Sequence, residues 1–311
     1  MRSLLLPALL ALCANGHASA QEPAAAAPAA LPEADLLQLA QERNERLTVP
    51  VMIGDAGPFR FLIDTGAQAT VLSRELANRL GPFERSPATL VGIASRVPIE
   101  TVAIDGLGLG PRRINVARVA LVEGRHIGGA EGVLGIDALQ GRRVLIDFVE
   151  RQMTIATPQE AQERSGYEIV VKAKPRHGQL IITDARIDGV RITVVIDTGA
   201  QISVGNETLA RRLKVRAVDI AEIHDINGVS ARGPLHVARS AKIGKMELLG
   251  FPIMITSSPV FRALELEDRP TLIIGMRELR LFRRIAIDFS TRRVLFDLPA
   301  SNRDIGNDWA W

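Results

Sequence analysis

Two aspartates in this chain lie in identical surroundings. Ile63-Asp64-Thr65-Gly66-Ala67-Gln68 recurs as Ile196-Asp197-Thr198-Gly199-Ala200-Gln201. A peptide bond resists hydrolysis unless water is activated and the carbonyl is polarised together. Two carboxylates a few ångströms apart do both. They cannot both ionise, so one holds a proton and the other is a base. The base takes a proton from a bound water while the acid donates to the carbonyl oxygen. The neighbours suit that task. Gly66 and Gly199 allow a tight turn and close approach of two backbones. The hydroxyls of Thr65 and Thr198 can each hydrogen-bond across to the other copy and fix the spacing of the carboxylates.

The elements around each aspartate are also duplicated, with an offset of 133 residues between Asp64 and Asp197. Val49 to Ile53 and Phe59 to Ile63 read as a hairpin. So do Leu180 to Ile187 and Val190 to Ile196, joined by Asp188-Gly189. Helices are predicted over Ser73 to Leu80 and Asn206 to Leu213, with Ser73 and Asn206 as N-caps. Gly-centred turns follow at Gly92 and Gly228. Each copy closes on two apolar residues and a glycine, Val133-Leu134-Gly135 and Ile273-Ile274-Gly275. A short helix and the strands Val144 to Phe148 or Ile285 to Phe289 come next. Most segments are short β-like runs punctuated by glycine, which predicts an all-β chain of two lobes.

Composition narrows the rest. The 311 residues suffice for two compact lobes, and nearly half are apolar. Aromatic residues are few, so the cores must be mainly Val, Ile, Leu and Ala. A net charge of +3, with scattered arginines and no basic run interleaved with aromatics, argues against nucleic-acid binding. His126, His177, His224 and His236 have no metal-ligand spacing, and Gly106, Gly108 and Gly110 lack the context of a nucleotide loop. No cofactor or metal is expected.

The N-terminus reads as a secretory signal. Arg2, an apolar stretch from Leu4 to Ala14, and Ala18-Ser19-Ala20 predict cleavage before Gln21. The apolar run is too short to span a membrane comfortably, so no stable insertion is expected. Cys13 is the only cysteine, so the mature chain would form no disulfide. These features predict a periplasmic or secreted bacterial protein. The predicted organisation is a signal peptide over 1–20, an Ala/Pro-rich linker and short helix over 21–47, lobes over 48–158 and 159–299, and a tail over 300–311. The helix is placed at Asp35 to Leu47, as a docking helix or, with Arg43 and Arg46, a pro-segment. The tail ends in Trp309 and Trp311, read as a loose end or a partner contact.

Asp64-Thr65-Gly66-Ala67 and Asp197-Thr198-Gly199-Ala200, each with its downstream apolar-apolar-Gly, resemble the active-site motifs of retropepsin-like aspartic proteases in the pepsin/retropepsin superfamily. The resemblance covers about residues 48 to 298. It implies β-barrel lobes with a cleft between them, and a catalytic dyad of Asp64 and Asp197. It also implies that Thr65 and Thr198 brace the two loops, that Gln68 and Gln201 contact the substrate backbone, and that the turns at Gly92 and Gly228 are flaps. Retropepsins carry one motif per chain and pair as dimers. Two motifs here imply a monomer acting on a peptide or protein substrate. Ala67 and Ala200 stand where pepsin has a hydroxyl that would donate to the ionised carboxylate, which predicts a less acidic working range.

Two bland readings remain beside the enzyme: a silent peptide-binding module on the same scaffold, and a structural partner protein. Asp147 and Asp288, each in Ile-Asp-Phe, are read as strand-start acids in solvated pairs with Arg142, Arg143, Arg283 or Arg284.

Overall fold

The computed structural model describes residues 35–38, 40–41, 47–110, 112–156, 167, 169–176, 179–213 and 216–298. The predicted signal peptide, the linker before residue 35 and the tail with Trp309 and Trp311 lie outside them. The fold is mostly β, as the punctuated apolar runs predict.

The first half contributes β1 (Asp35–Gln38), β2 (Ala40–Gln41), β3 (Leu47–Ile53), β4 (Ala56–Ile63), β5 (Val71–Ser73), β6 (Ser86–Val91), β7 (Arg96–Leu109), β8 (Arg112–Val122), β9 (Gly132–Leu134), β10 (Arg143–Asp147) and β11 (Gln152–Ala156). The second contributes β12 (Ile169–Arg176), β13 (Gln179–Ile187), β14 (Val190–Ile196), β15 (Val204–Gly205), β16 (Ala217–His224), β17 (Ser230–Ile243), β18 (Met246–Ile255), β19 (Thr271–Ile274), β20 (Arg284–Asp288) and β21 (Arg293–Asp297).

In each half the hydrogen-bonded neighbours close on themselves. The ring β3-β4-β9-β5-β8-β7 returns to β3, and β13-β14-β19-β15-β18-β17 returns to β13. Closure removes free edges and encloses apolar side chains. Val49, Val51, Phe61, Leu72 and Leu107 fill the first interior, and Ile182, Val194, Ile253 and Leu272 the second. The Asp188-Gly189 hairpin is present, with both residues at positive φ (46° and 83°), as a tight turn matched to strand twist requires.

Both predicted helix starts are borne out. In α1 (Arg74–Leu80) Ser73 Oγ accepts from Leu76 N–H at 3.1 Å. Between the two lies α2 (Ile136–Leu139). In α3 (Glu207–Arg212) Asn206 Oδ1 accepts from Leu209 N–H at 2.8 Å. Two more short helices follow, α4 (Pro259–Ala263) and α5 (Met276–Leu279).

Two expectations need correction. Where the segment Asp35 to Leu47, expected as a helix, is described, it is extended: β1 pairs antiparallel with β11, Asp35 opposite Ile155, and β2 pairs with β3. A partner strand some 115 residues away overrides the local apolar spacing. Asp147 and Asp288 end their strands rather than start them, and Asp288 is not solvated. It has no exposed surface and pairs with Arg143 at 2.8 Å. That pair bridges the halves, because β10 lies antiparallel to β20 with Arg143 opposite Asp288 and Asp147 opposite Arg284.

Candidate active site

Each aspartate motif begins where a central strand ends. Asp64 follows β4 and Asp197 follows β14. Each of these strands runs parallel to the strand carrying the apolar-apolar-Gly pattern, with Ile63 beside Leu134 and Ile196 beside Ile274. Asp64 N–H donates to Leu134 O at 3.1 Å, and Asp197 N–H to Ile274 O at 3.0 Å. The glycine after each apolar pair is a matter of space. A Cβ on Gly135 would stand 2.6 Å from the carbonyl carbon of Ala69, and one on Gly275 2.6 Å from that of Ile202. Helices α2 and α5 then hold the loops from behind, Ile136 N–H on Ala67 O (2.9 Å) and Met276 N–H on Ala200 O (2.8 Å).

The threonines cross between the halves as their hydroxyls allow. Thr65 N–H donates to Thr198 Oγ1 at 3.0 Å, and Thr198 N–H to Thr65 Oγ1 at 3.2 Å. Each hydroxyl then donates onward, Thr65 to Ile196 O (3.0 Å) and Thr198 to Ile63 O (2.8 Å). Each threonine N–H and each hydroxyl of this buried lattice has a partner in the other half, which ties the two loops together.

The lattice brings the carboxyls together. Gly66 faces the Asp197 carboxyl and Gly199 faces that of Asp64, so closely that a side chain at either glycine would overlap the acid. Backbone donors converge on one oxygen of each aspartate. Gly66 and Ala67 N–H donate to Asp64 Oδ1 at 2.8 and 2.9 Å; Gly199 and Ala200 N–H donate to Asp197 Oδ1 at 2.8 and 3.1 Å. Asp197 is nevertheless raised well above the ordinary carboxylate value of 3.8. Burial is the largest cause, followed by the charge of Asp64 and a hydrogen bond with it; the two N–H donors work the other way. A proton is therefore held on the pair.

The carboxyls lie in a cleft of about 310 Å³. Its walls are aliphatic: Leu62, Val71, Leu90, Ile127 and Val133 on one side, and Val195, Val204, Ile223, Leu264 and Ile273 on the other. Gln68, Gln201, Ala67, Ala200 and Gly92 line it. Gly228 does not. It packs on the His126 ring from the opposite half, with no room for a side chain between them. The substrate-contact role expected of Gly228 is therefore corrected to a contact between halves, which local sequence could not reveal.

The two Gly-centred turns cross over the cleft. Ile93, from the turn after β6, packs on the second half's apolar cluster, and Ile226, from the turn after β16, packs on the first's. Ser95 Oγ donates to Asp225 Oδ2 at 2.5 Å, and Asn227 Nδ2 to Ser95 Oγ at 2.8 Å. Asp225 Oδ1 meanwhile accepts from Asn227 and Val229 N–H, both at 2.9 Å. Ser95, Asp225, Asn227 and His126 were not singled out from sequence. Nor was Gln179, which lines the cleft and donates from Nε2 to Gly66 O. The one signal available was the Asp-x-Asn-Gly turn at Asp225 to Gly228, a pattern that turns share widely.

Two Asp-Thr-Gly loops, braced symmetrically at the base of a cleft between two closed β-rings, define the retropepsin-like class of aspartyl protease. A family model described as aspartyl protease matches residues 49–138 and again 183–277, more than half of the chain, and the protein belongs to that family. The double match agrees with two fused lobes. No curated protein matches the chain.

Proposed function

We propose that the protein is an aspartic endopeptidase whose single site uses Asp64 and Asp197 together. The observation that carries this reading is the facing pair of carboxyls, fixed by the threonine lattice at the base of an aliphatic cleft. A water between them loses a proton to Asp64. Asp197 supplies its proton to the carbonyl oxygen as the water oxygen attacks the carbonyl carbon. The tetrahedral intermediate collapses when the C–N bond breaks. The leaving nitrogen takes the proton gained by Asp64, and the gem-diol hydroxyl returns one to Asp197. Glycine at 66 and 199 permits the approach of the carboxyls, and Gln68 and Gln201 stand at the rim to hold an extended backbone.

The walls suit aliphatic side chains on both sides of the scissile bond, because both are built from Val, Leu and Ile. With both aspartates on one chain, the site is complete in a monomer, and the predicted signal peptide would place it in the periplasm or outside the cell. Purified chain lacking residues 1–20 should cleave a diverse peptide library between apolar residues. Asp64→Asn and Asp197→Asn should each abolish cleavage. Cleavage surviving either change would sink the shared-dyad mechanism, and peptide binding without cleavage by the parent would favour a silent binding module.

A further inference from the structure

The two aspartate loops are clamped from behind by similar constructions, a hydroxyl set between a glycine N–H and an acid, and the two acids differ in burial. In the first half Gly135 N–H donates to Thr70 Oγ1 at 3.2 Å, and that hydroxyl donates to Asp137 Oδ1 at 2.7 Å. Asp137 is exposed and also accepts from Thr70 and Ala138 N–H. In the second half Gly275 N–H donates to Ser203 Oγ at 3.1 Å, and Ser203 Oγ meets Glu278 Oε2 at 2.5 Å. Glu278 has no exposed surface. Its second oxygen, Oε1, is buried without a hydrogen-bond partner.

We propose that Glu278 is a positioning residue that holds the Asp197 loop in its neutral form and loosens it when ionised. The effect on catalysis rests on the peptidase reading above; the effect on the loop does not. The path is short. Glu278 sits on α5, whose first two N–H groups hold Ala200 O (2.8 Å) and Gln201 O (3.0 Å), and its hydroxyl partner also accepts from Gly275, between Ile274 and that helix.

A neutral carboxyl leaves only an uncharged oxygen unpaired at this place. A carboxylate leaves a share of a full negative charge there, buried on an oxygen with no hydrogen-bond partner. Charged groups do little to relieve it. Arg277, exposed on the same helix, is the one charged residue whose field on Glu278 is resolved, and the loop packed against it presents the Ser203 hydroxyl. Burial accordingly pushes the carboxyl up to about 7, against the pull of the Ser203 hydroxyl, of Arg277, and of the Glu278 and Ser203 backbone N–H groups. In the first half the acid at the corresponding place is exposed rather than buried.

That asymmetry supplies an internal control in the unmodified protein. Hydrogen exchange at the Gly275 and Gly135 amides reads the two clamps separately, after correction for intrinsic base catalysis. Between about pH 5 and about pH 8, protection at Gly275 should fall about tenfold relative to Gly135, since ionisation spans the shift of Glu278. Parallel protection at the two amides overturns the proposal. Glu278→Gln, neutral at every pH, should abolish the difference and extend the alkaline limb of kcat with KM unchanged. An unchanged alkaline limb in a folded Glu278→Gln protein also overturns it. If no peptide is cut by the parent, the exchange measurement still decides, so failure of the peptidase reading and failure of this one are distinguishable.

Discussion

Ser95 and Asp225 belong to opposite halves of the chain and meet above the cleft, hydroxyl to carboxylate, at 2.5 Å. The contact closes a roof over the carboxyls. A peptide entering the cleft would have to break it, along with the apolar crossings of Ile93 and Ile226. A hydrogen bond to a charged acceptor contributes about 1.5–3 kcal/mol. Ser95→Ala should therefore speed peptide association severalfold, read by stopped-flow fluorescence on an inactive Asp64→Asn background. An unchanged association rate would mean that the roof does not limit entry.

The pair Asp64 and Asp197 links stability to pH. Asp197 is raised in the folded chain, so between its ordinary value of 3.8 and its folded value the native state keeps a proton that the unfolded state has released. Stability from this source is full in acid and is lost as pH rises through that window. Asp197→Asn should abolish hydrolysis yet melt at a higher temperature than the parent near neutral pH, with the gap closing toward acid. Identical pH dependence of the two melting curves would show that the pair holds no extra proton.

The threonine lattice has no spare donors or acceptors. Thr198→Val keeps the shape but strips Thr65 N–H of its acceptor and Ile63 O of its donor. Each buried group left unsatisfied costs about 1–3 kcal/mol. The variant should lose roughly 2–6 kcal/mol by urea denaturation, and Thr198→Ser should recover most of it. If valine is tolerated as well as serine, the hydroxyl does not brace the loops.

Arg143 and Asp288 form the buried ion pair between β10 and β20. Burial alone would raise Asp288, but hydrogen bonds from Ser290 and Thr291 and the pairing with Arg143 outweigh it and hold the carboxyl below its ordinary 3.8. Its contribution is present above that value and is lost as pH falls through the folded one. Arg143→Ala leaves the carboxylate uncompensated and should cost about 3–5 kcal/mol at neutral pH. The loss should shrink in acid. A loss independent of pH would point to packing rather than charge.

Short-range chemistry was legible in the sequence, and contacts between distant residues were not. Asp188-Gly189, Ser73 and Asn206 each act within a few residues, and each is where local rules put it. The Asp-Thr-Gly copies and the glycines behind them were legible because duplication writes the same constraint twice. Asp35 to Leu47 was misread because Leu36, Leu37, Leu39 and Ala40 fit a helical face as well as a strand, and β11 decided between them. Ser95 and Asp225 lie 130 positions apart, so neither side chain advertises the other. Glu278 looks like a helix-surface acid beside Arg277; only the folded chain shows it turned inward on Ser203.

The register between β10 and β20 reads the same from either end: Arg143 faces Asp288, Asp147 faces Arg284, and Leu145 faces Ala286 at the centre. A self-complementary seam of that kind is what two identical subunits form about a twofold axis. Here it lies inside one polypeptide, between the two aspartate-bearing halves. Within one chain the two sides of the seam need not be identical. Arg143 now bonds across the seam to Asp288, whereas its counterpart Arg284 bonds within its own half to Asp297. A homodimer would carry any such difference twice; one chain carries it once, so the two ends of the seam are chemically distinct.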